Sequence, residues 1–518
     1  MASTILFHNA VIHTVDETRP RASWLTVRGD RIQRVGDGPA PQVHAAVDLG
    51  GRAVVPGFVD AHAHFFQTGL DSLFVDLGGS KTVEDVMERL RAGARGPRSW
   101  IFAAGFEEDA LTDATRLTRA DLDAAFPERP VWVNRVDYHS AIVNGPALRR
   151  LDIPKGTAGL MLESGAPNGI LRANAYFFAK VRVSRVVPVE LRDRAVKAAA
   201  NLFISRGITA VHALEGGQIF GEEGVHAIMK HADSLPLDLT LFLQEKNVYF
   251  TKRLGVEHLG GCILLDGSIG SYTAAVDFDY EGQPGERGIL YEKSSNLQEF
   301  IDRAHRNGVQ LAFHAIGPRA IDQLLRAYER TLNRTPRYDH RHRVEHFELA
   351  TDDQIGRMRD LGLIASMQPA FEYLWGGPRG MYASRLGDAW KSTNRLRTIL
   401  SRGVRIAGGS DANVTPPNPL LGIHAAVNHP NLDERIDVRA ALRMMTLDAA
   451  HAAFNDVRHG SISPGKEASF VILGEDLTTV PSDSIEHVPV LETWCRGRRV
   501  YSARGAERMT AAVSSELP

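Results

Sequence analysis

Three observations predict an α/β chain organised as a (β/α)8 TIM barrel with a small β-sandwich attached. Eight strand-like runs in the middle of the chain alternate with amphipathic helical stretches, the pattern of βα units around a parallel sheet. Several of these runs end in a histidine or an aspartate, where a barrel strand would reach its open mouth. Short alternating strands with Gly and Asp turn signals occur at both chain ends.

The N-terminal stretch contains "TILFHNAVIHTV", "WLTVRGDRIQRVG" and "AAVDLGGRAVVPG", and the C-terminal part contains "EASFVILG" and "PVLETWCRGRRVYSA". Residues 1–57 and 465–518 are therefore expected to build one sandwich from both ends of the chain. The barrel is expected over 58–464. Its strands read "FVDAHAH" (58–64), "ITAVHAL" (208–214), "LTLFLQ" (239–244), "CILLDGS" (262–268), "QLAFHAI" (310–316), "HRVEHFE" (342–348), "LIASMQP" (363–369) and "RIAGGSD" (405–411). The stretch 66–185, with "WIFAAGFEE" and "PVWVNRVDYHSAIVN", reads as an insertion after the first barrel strand. The tail after 503 reads as loosely held.

Composition narrows the function. The chain has 518 residues, 43% hydrophobic and 24% charged, ordinary values for a large globular protein. A net charge of −2 without a basic run argues against nucleic acid as a partner. The N-terminus lacks the basic and apolar regions of a signal peptide, and no apolar run is long enough for a membrane span. Two cysteines, Cys262 and Cys495, do not make a disulfide framework and fit a reducing cytoplasm. In a sandwich strand, Cys495 reads as core. The expected partner is a small-molecule substrate, with a homodimer through the sandwich or the insertion as a further expectation.

In "PGFVDAHAHF", His62 and His64 stand two apart, so on a strand they share a face. Such a pair is most often an ordinary strand or surface feature. Here it has company: strand five ends with His314, strand six with His346 and strand eight with Asp411. Four imidazoles and a carboxylate meeting at one barrel mouth make a donor set for zinc or a similar divalent ion, one or two per chain. Manganese and iron share such ligands.

The order of these residues resembles the amidohydrolase superfamily, in its YtcJ-like and N-substituted formamide deformylase-like branch. The resemblance is carried by "VVPGFVDAHAHF", "NRVDYHSAIVN", "DGSIGSYTAA", "HAIGPRAIDQLLRAYE", "RHRVEHFE", "GGSDANVTPPNPL" and "VLETWCRGRRVY". It covers nearly the whole chain and is specific for fold and superfamily, much less so for substrate. It implies hydrolysis of a C–N bond in an amide, formamide or cyclic amide. A decarboxylase, another lyase, an isomerase or a cyclase is the alternative on the same scaffold.

Three positions depart from the branch pattern. Its strand-four lysine, whose carbamate bridges two metals, would stand four residues before Asp266; Cys262 stands there. As in D-aminoacylase-like members, Cys262 either ligates metal as a thiolate or is a small core residue. Tyr272 replaces an arginine in "GSYTA", and Pro318 replaces an acid in "HAIGPRA".

A metal-bound water, with its pKa drawn down to about 7, is expected to supply the attacking hydroxide. Asp411 is expected to be general base and then acid, a ligand, or both. His139, in "RVDYHSA", either polarises the carbonyl and holds the oxyanion or is structural. Tyr272 either donates to the same oxyanion or lines the pocket. Phe371, Tyr373 and Trp375, in "QPAFEYLWGGP", either form a pocket for an aromatic or apolar substrate or pack the loop on the barrel. His212 ends strand two and either contacts substrate, supports the site from behind or, as is commoner for such a residue, simply packs.

Overall fold

The computed structural model describes residues 3–94, 100–112, 116–136, 138, 140–217 and 221–503. It forms two compact units. One comprises Met1–Ala63, Asn201–Leu214 and Ser234–Pro518; the other comprises His64–Ala200 and Glu215–Asp233.

The first unit contains the barrel. Its strands are β1 (Phe58–Ala63), β2 (Ile208–Glu215), β3 (Asp238–Leu243), β4 (His258–Leu264), β5 (Gln310–Ala315), β6 (Arg343–His346), β7 (Ile364–Met367) and β8 (Arg405–Gly408). They lie side by side in chain order. The registered pairs β1–β2 and β3 through β8 are parallel. Strands such as β1 and β5 are buried along their whole length, as expected for a sheet covered on both faces. The ring closes at β1 and β8, through a parallel bridge between Ala63 and Ala412 and a 2.7 Å bond from the Asp411 N–H to the His62 carbonyl. Buried Asp60 fastens this seam. Its Oδ1 accepts the Ser410 N–H at 2.9 Å, and its Oδ2 accepts the Ser410 hydroxyl at 2.5 Å.

All eight predicted strands exist, but β4 begins earlier than the sequence implies, at His258. The misleading signal is the glycine pair Gly260 and Gly261, which reads as a turn. Both have positive φ, 95° and 108°. A Cβ on Gly260 would lie 1.9 Å from the Ala312 carbonyl oxygen, and one on Gly261 would lie 2.2 Å from Leu214. These glycines let β4 approach its neighbours through a register shift while carrying Cys262 into the barrel.

The same unit holds two further sheets. In the six-stranded one, Ala53–Pro56 pairs with Val11–His13 on one side and with Phe470–Leu473 on the other, so both chain ends share a sheet. Phe7, Phe470 and Trp494 fill the core between this sheet and the four-stranded one, with ring centroids 5.0–5.7 Å apart. Cys495, the last residue of Val490–Cys495, is buried with its sulfur against the Ser469 hydroxyl and the Thr209 carbonyl, and burial pushes its thiol up to about 11.

The second unit runs from His64 to Ala200 and adds Glu215–Asp233. It has a mixed six-stranded sheet with Val131–Arg135 and Ser140–Val143 at its centre. Its core includes Leu90, Ile101, Phe106, Leu122, Val131 and Val133. Among the described residues, no helix is long and apolar enough to cross a membrane.

Candidate metal centre

The donors come from four barrel strands and one loop. His62 stands on β1, Cys262 on β4, His314 on β5 and His346 on β6, and Asp411 follows β8. One donor atom each from His62, His346 and Asp411 lie within 4.8 Å of one another, and all three residues are buried. His62 Nε2 is 3.3 Å from Asp411 Oδ1 and 3.8 Å from Cys262 Sγ. The His346 ring lies between those of His62 and His314, at centroid distances of 4.9 and 4.5 Å. His314 Nε2 donates to the Gly267 carbonyl at 3.2 Å, which makes Nδ1 the acceptor nitrogen of its neutral ring.

The surrounding residues fix which nitrogen faces inward. His62 Nδ1–H donates to Glu345 Oε2 at 2.6 Å, leaving Nε2 to face Asp411 and Cys262. His346 Nδ1–H donates to Gln368 Oε1 at 2.7 Å in the same manner. A carboxylate or amide behind each imidazole is the usual support of a metal-ligating histidine. Burial pushes the Glu345 carboxyl up, but the Arg343 charge and the His62 hydrogen bond outweigh it and hold the pKa at about 2. Burial lowers the His62 pKa, but Asp411, Cys262 and Glu345 together carry it well above the usual imidazole range. Two imidazoles and a carboxylate whose donor atoms converge in a buried site make a set that fits a divalent cation.

Backbone strain collects at the same place. His346, Phe347 and Asp411 have φ of 69°, 50° and 54°, a region non-glycine residues seldom occupy. Such conformations persist where the surroundings over-determine them, as at ligand clamps.

The other predicted residues occupy varied positions. His64 is buried, is the first residue of the second unit and stands at the N-terminal cap position of the helix Phe65–Asp71 without a side-chain capping bond. His139 lies outside the described residues. His212 is buried in the barrel interior, with Nδ1 3.0 Å from the Arg343 guanidinium. The helix Pro369–Trp375 divides the three aromatics. Phe371 and Trp375, four residues apart, share a face with centroids 4.8 Å apart, and Phe371 stacks on His346 at 6.0 Å. Tyr373 is on another face, 47% exposed, and donates to Glu486 at 2.9 Å. The three do not form one pocket wall. Tyr272, in the loop after β4, packs edge-on against Tyr280 at 5.3 Å.

Pro318 has a structural explanation. It is the first residue of the helix Pro318–Arg334, where a missing N–H costs nothing. The Asp266 carboxylate gathers the N–H groups of Ala275, Ile316 and Gly317 at 2.8–3.0 Å and so fixes the loops after β4 and β5.

Sequence reasoning missed Arg343, Glu345 and Gln368. A usable signal was present: Arg343 and Glu345 are charged residues inside a buried strand, and such charges must be paired.

A parallel eight-stranded barrel with this donor set at its strand ends is the framework of a metal-dependent hydrolase. The chain belongs to the amidohydrolase family, whose sequence profile matches residues 45–501. Among relatives, it is 30% identical to Protein LONG AFTER FAR-RED 3 of Arabidopsis thaliana, covering 97% of this chain and 92% of that one. It is 27% identical to the putative amidohydrolase YtcJ of Bacillus subtilis strain 168, covering 96% and 99%. With N-substituted formamide deformylase of Arthrobacter pascens it shares 26% identity, covering 97% and 99%. Among solved structures, an uncharacterized metal-dependent hydrolase from Pyrococcus furiosus superposes with a TM-score of 0.76 at 26% identity, covering 92% of this chain and 100% of that one.

Proposed function

We propose that the protein hydrolyses a C–N bond in a small amide, formamide or cyclic amide with an aromatic or apolar part. The observation that carries this reading is the buried set His62, His346 and Asp411, with both imidazoles oriented from behind by Glu345 and Gln368. His62, His346, Asp411 and Cys262 would hold a divalent ion. His314 and His64 complete the set by their places at the ends of β5 and β1. Zinc is the metal that best suits a mixed imidazole, carboxylate and thiolate set. Once bound, the ion supplies Lewis acidity and makes water nucleophilic near neutral pH.

Asp411 takes the proton of the attacking water and returns it to the leaving nitrogen. Its backbone bond to His62 and the Asp60 clamp on Ser410 hold the carboxylate where that transfer occurs. Phe371, stacked on His346, gives the scissile group an apolar floor that excludes bulk water. The deformylase relative, named for N-substituted formamides, supports a C–N substrate. The same reading places the protein in a reducing cytoplasm, consistent with two buried cysteines outside any disulfide.

The test is amine release from a panel of N-formyl and N-acyl amines, run on metal-loaded protein in 18O-labelled water. Amine release with label in the acid product supports hydrolysis. Product without label supports a lyase, and a panel wholly unturned over argues against an amidase.

A further inference from the structure

Arg385 lies on the helix Met381–Leu386, which follows β7, and faces the loop after β4. Both segments are βα connections at the C-terminal mouth of the barrel, where substrates bind. Its guanidinium carbon is 4.4 Å from the centroid of the Tyr272 ring. Among the described residues this side chain has no hydrogen bond and no ion pair, and its Nε is buried. Neighbouring arginines behave differently. Arg319 donates to the carbonyls of Val276 and Arg287, and Arg395 pairs with Asp352 and Glu434.

The position of Arg385 is built. Its carbonyl accepts the Glu281 N–H at 2.8 Å, which ties the helix to the segment carrying Tyr272. Tyr272 is held at φ 59° by a backbone bond to Ile269 and by the hydroxyl chain Ser268, Ser271 and Thr273, whose oxygens are 2.7 Å apart in sequence. Tyr272 and Met381 pack on the same apolar cluster as Phe371, which stacks on His346. A half-buried guanidinium on an aromatic face, with no ion-pair partner among the described residues, is suited to grip a carboxylate with two parallel hydrogen bonds.

We propose that Arg385, carried by Tyr272, anchors a carboxylate of the substrate, which would then be an N-acyl or N-formyl compound with an apolar segment and an acid group. The inference rests on the proposed hydrolase reading for the bond that is cut, but not for the anion that is held.

Two measurements separate the two claims. The first compares kcat/KM for N-formylphenylalanine and N-formylphenylalaninamide. The wild type should prefer the acid at least tenfold; Arg385→Gln should reduce the preference to within twofold, and Arg385→Lys should keep part of it. The second is calorimetric titration of metal-loaded protein with phenylacetate and with phenylacetamide. Phenylacetate should bind at least tenfold more weakly to Arg385→Gln than to the wild type, with the thermal midpoint unchanged. A carboxylate held by the metal alone would bind both proteins equally, and that result overturns the assignment. So does a wild type that binds no phenylacetate, or that favours the amide. Arg385-dependent phenylacetate binding without turnover of either formyl compound would uphold the anion site and count against the hydrolase reading.

Discussion

Arg343 and Glu345, two residues apart on β6, form a doubly hydrogen-bonded ion pair with no exposure to solvent, at 2.7 and 2.8 Å. Arg343 also donates to the Ala61 carbonyl and to Ser366, and Glu345 accepts from His62. One strand thus joins the barrel interior to the metal centre.

That pair yields two separable outcomes. Glu345→Gln leaves His62 without its carboxylate partner and should weaken metal binding about 10–100-fold, as read by competition with a chromogenic chelator. Arg343→Met strands a buried carboxylate and should cost about 3–5 kcal/mol of stability, as read by urea denaturation. A Glu345→Gln protein with wild-type metal affinity would show that the His62 contact is only structural.

Cys262 decides the nuclearity. Elemental mass spectrometry on protein purified without chelator should give about two metals per chain, falling in Cys262→Ser, if the thiolate substitutes for a bridging lysine carbamate. One metal per chain, unchanged in the variant, would make Cys262 a packing residue.

The aromatic helix predicts a contrast within three positions. Phe371→Ala removes the ring that stacks on His346 and should raise KM or lower kcat at least tenfold. Tyr373→Phe loses only the hydroxyl contact to Glu486 and should leave both constants within about twofold, as at a surface site. Equal effects would mean that the pocket extends to the other face of the helix.

Acid should unfold the protein early, through a histidine chain at the start of β6. His305 Nε2–H donates to the Thr335 carbonyl, so its Nδ1 accepts from His342 Nε2–H at 2.8 Å. His342 Nδ1 in turn accepts the Leu311 N–H, and His340 Nδ1 accepts the His342 N–H. The three imidazoles are therefore neutral. Burial, with the Arg337 charge close by and only partly offset by Asp302 and Asp339, lowers their pKa values, that of His340 to about 4. The folded values lie below the unfolded one, near 6.5, so the stabilisation is complete above pH 6.5. It is lost as pH falls from there toward 4, by about 1.4 kcal/mol per pH unit for each histidine left neutral. Urea midpoints between pH 7 and 5 should fall steeply, and less so in His342→Gln.

The barrel was legible because its strands are apolar runs ending in metal-type residues. His62, His314, His346 and Asp411 announce themselves by position alone. What escaped is what depends on contacts between distant segments. Nothing near His62 indicates that Glu345, on another strand, supports it. Arg385 looks like any helix arginine until Tyr272 is beneath it and no acid among the described residues pairs with it. The β4 boundary was misplaced because glycines that permit close packing look, in one dimension, like glycines that make a turn.

The pairing of Ala53–Pro56 with Phe470–Leu473 has a consequence for synthesis. Roughly four hundred residues separate the two strands. At the usual pace of translation, the early strand waits about 20–80 s for its partner. Until then it presents an open apolar edge, the kind that nascent chains use to stick to one another. A chain truncated before Phe470 would keep that edge permanently. Yield of soluble protein should therefore depend on reaching the last few dozen residues, however complete the catalytic barrel already is.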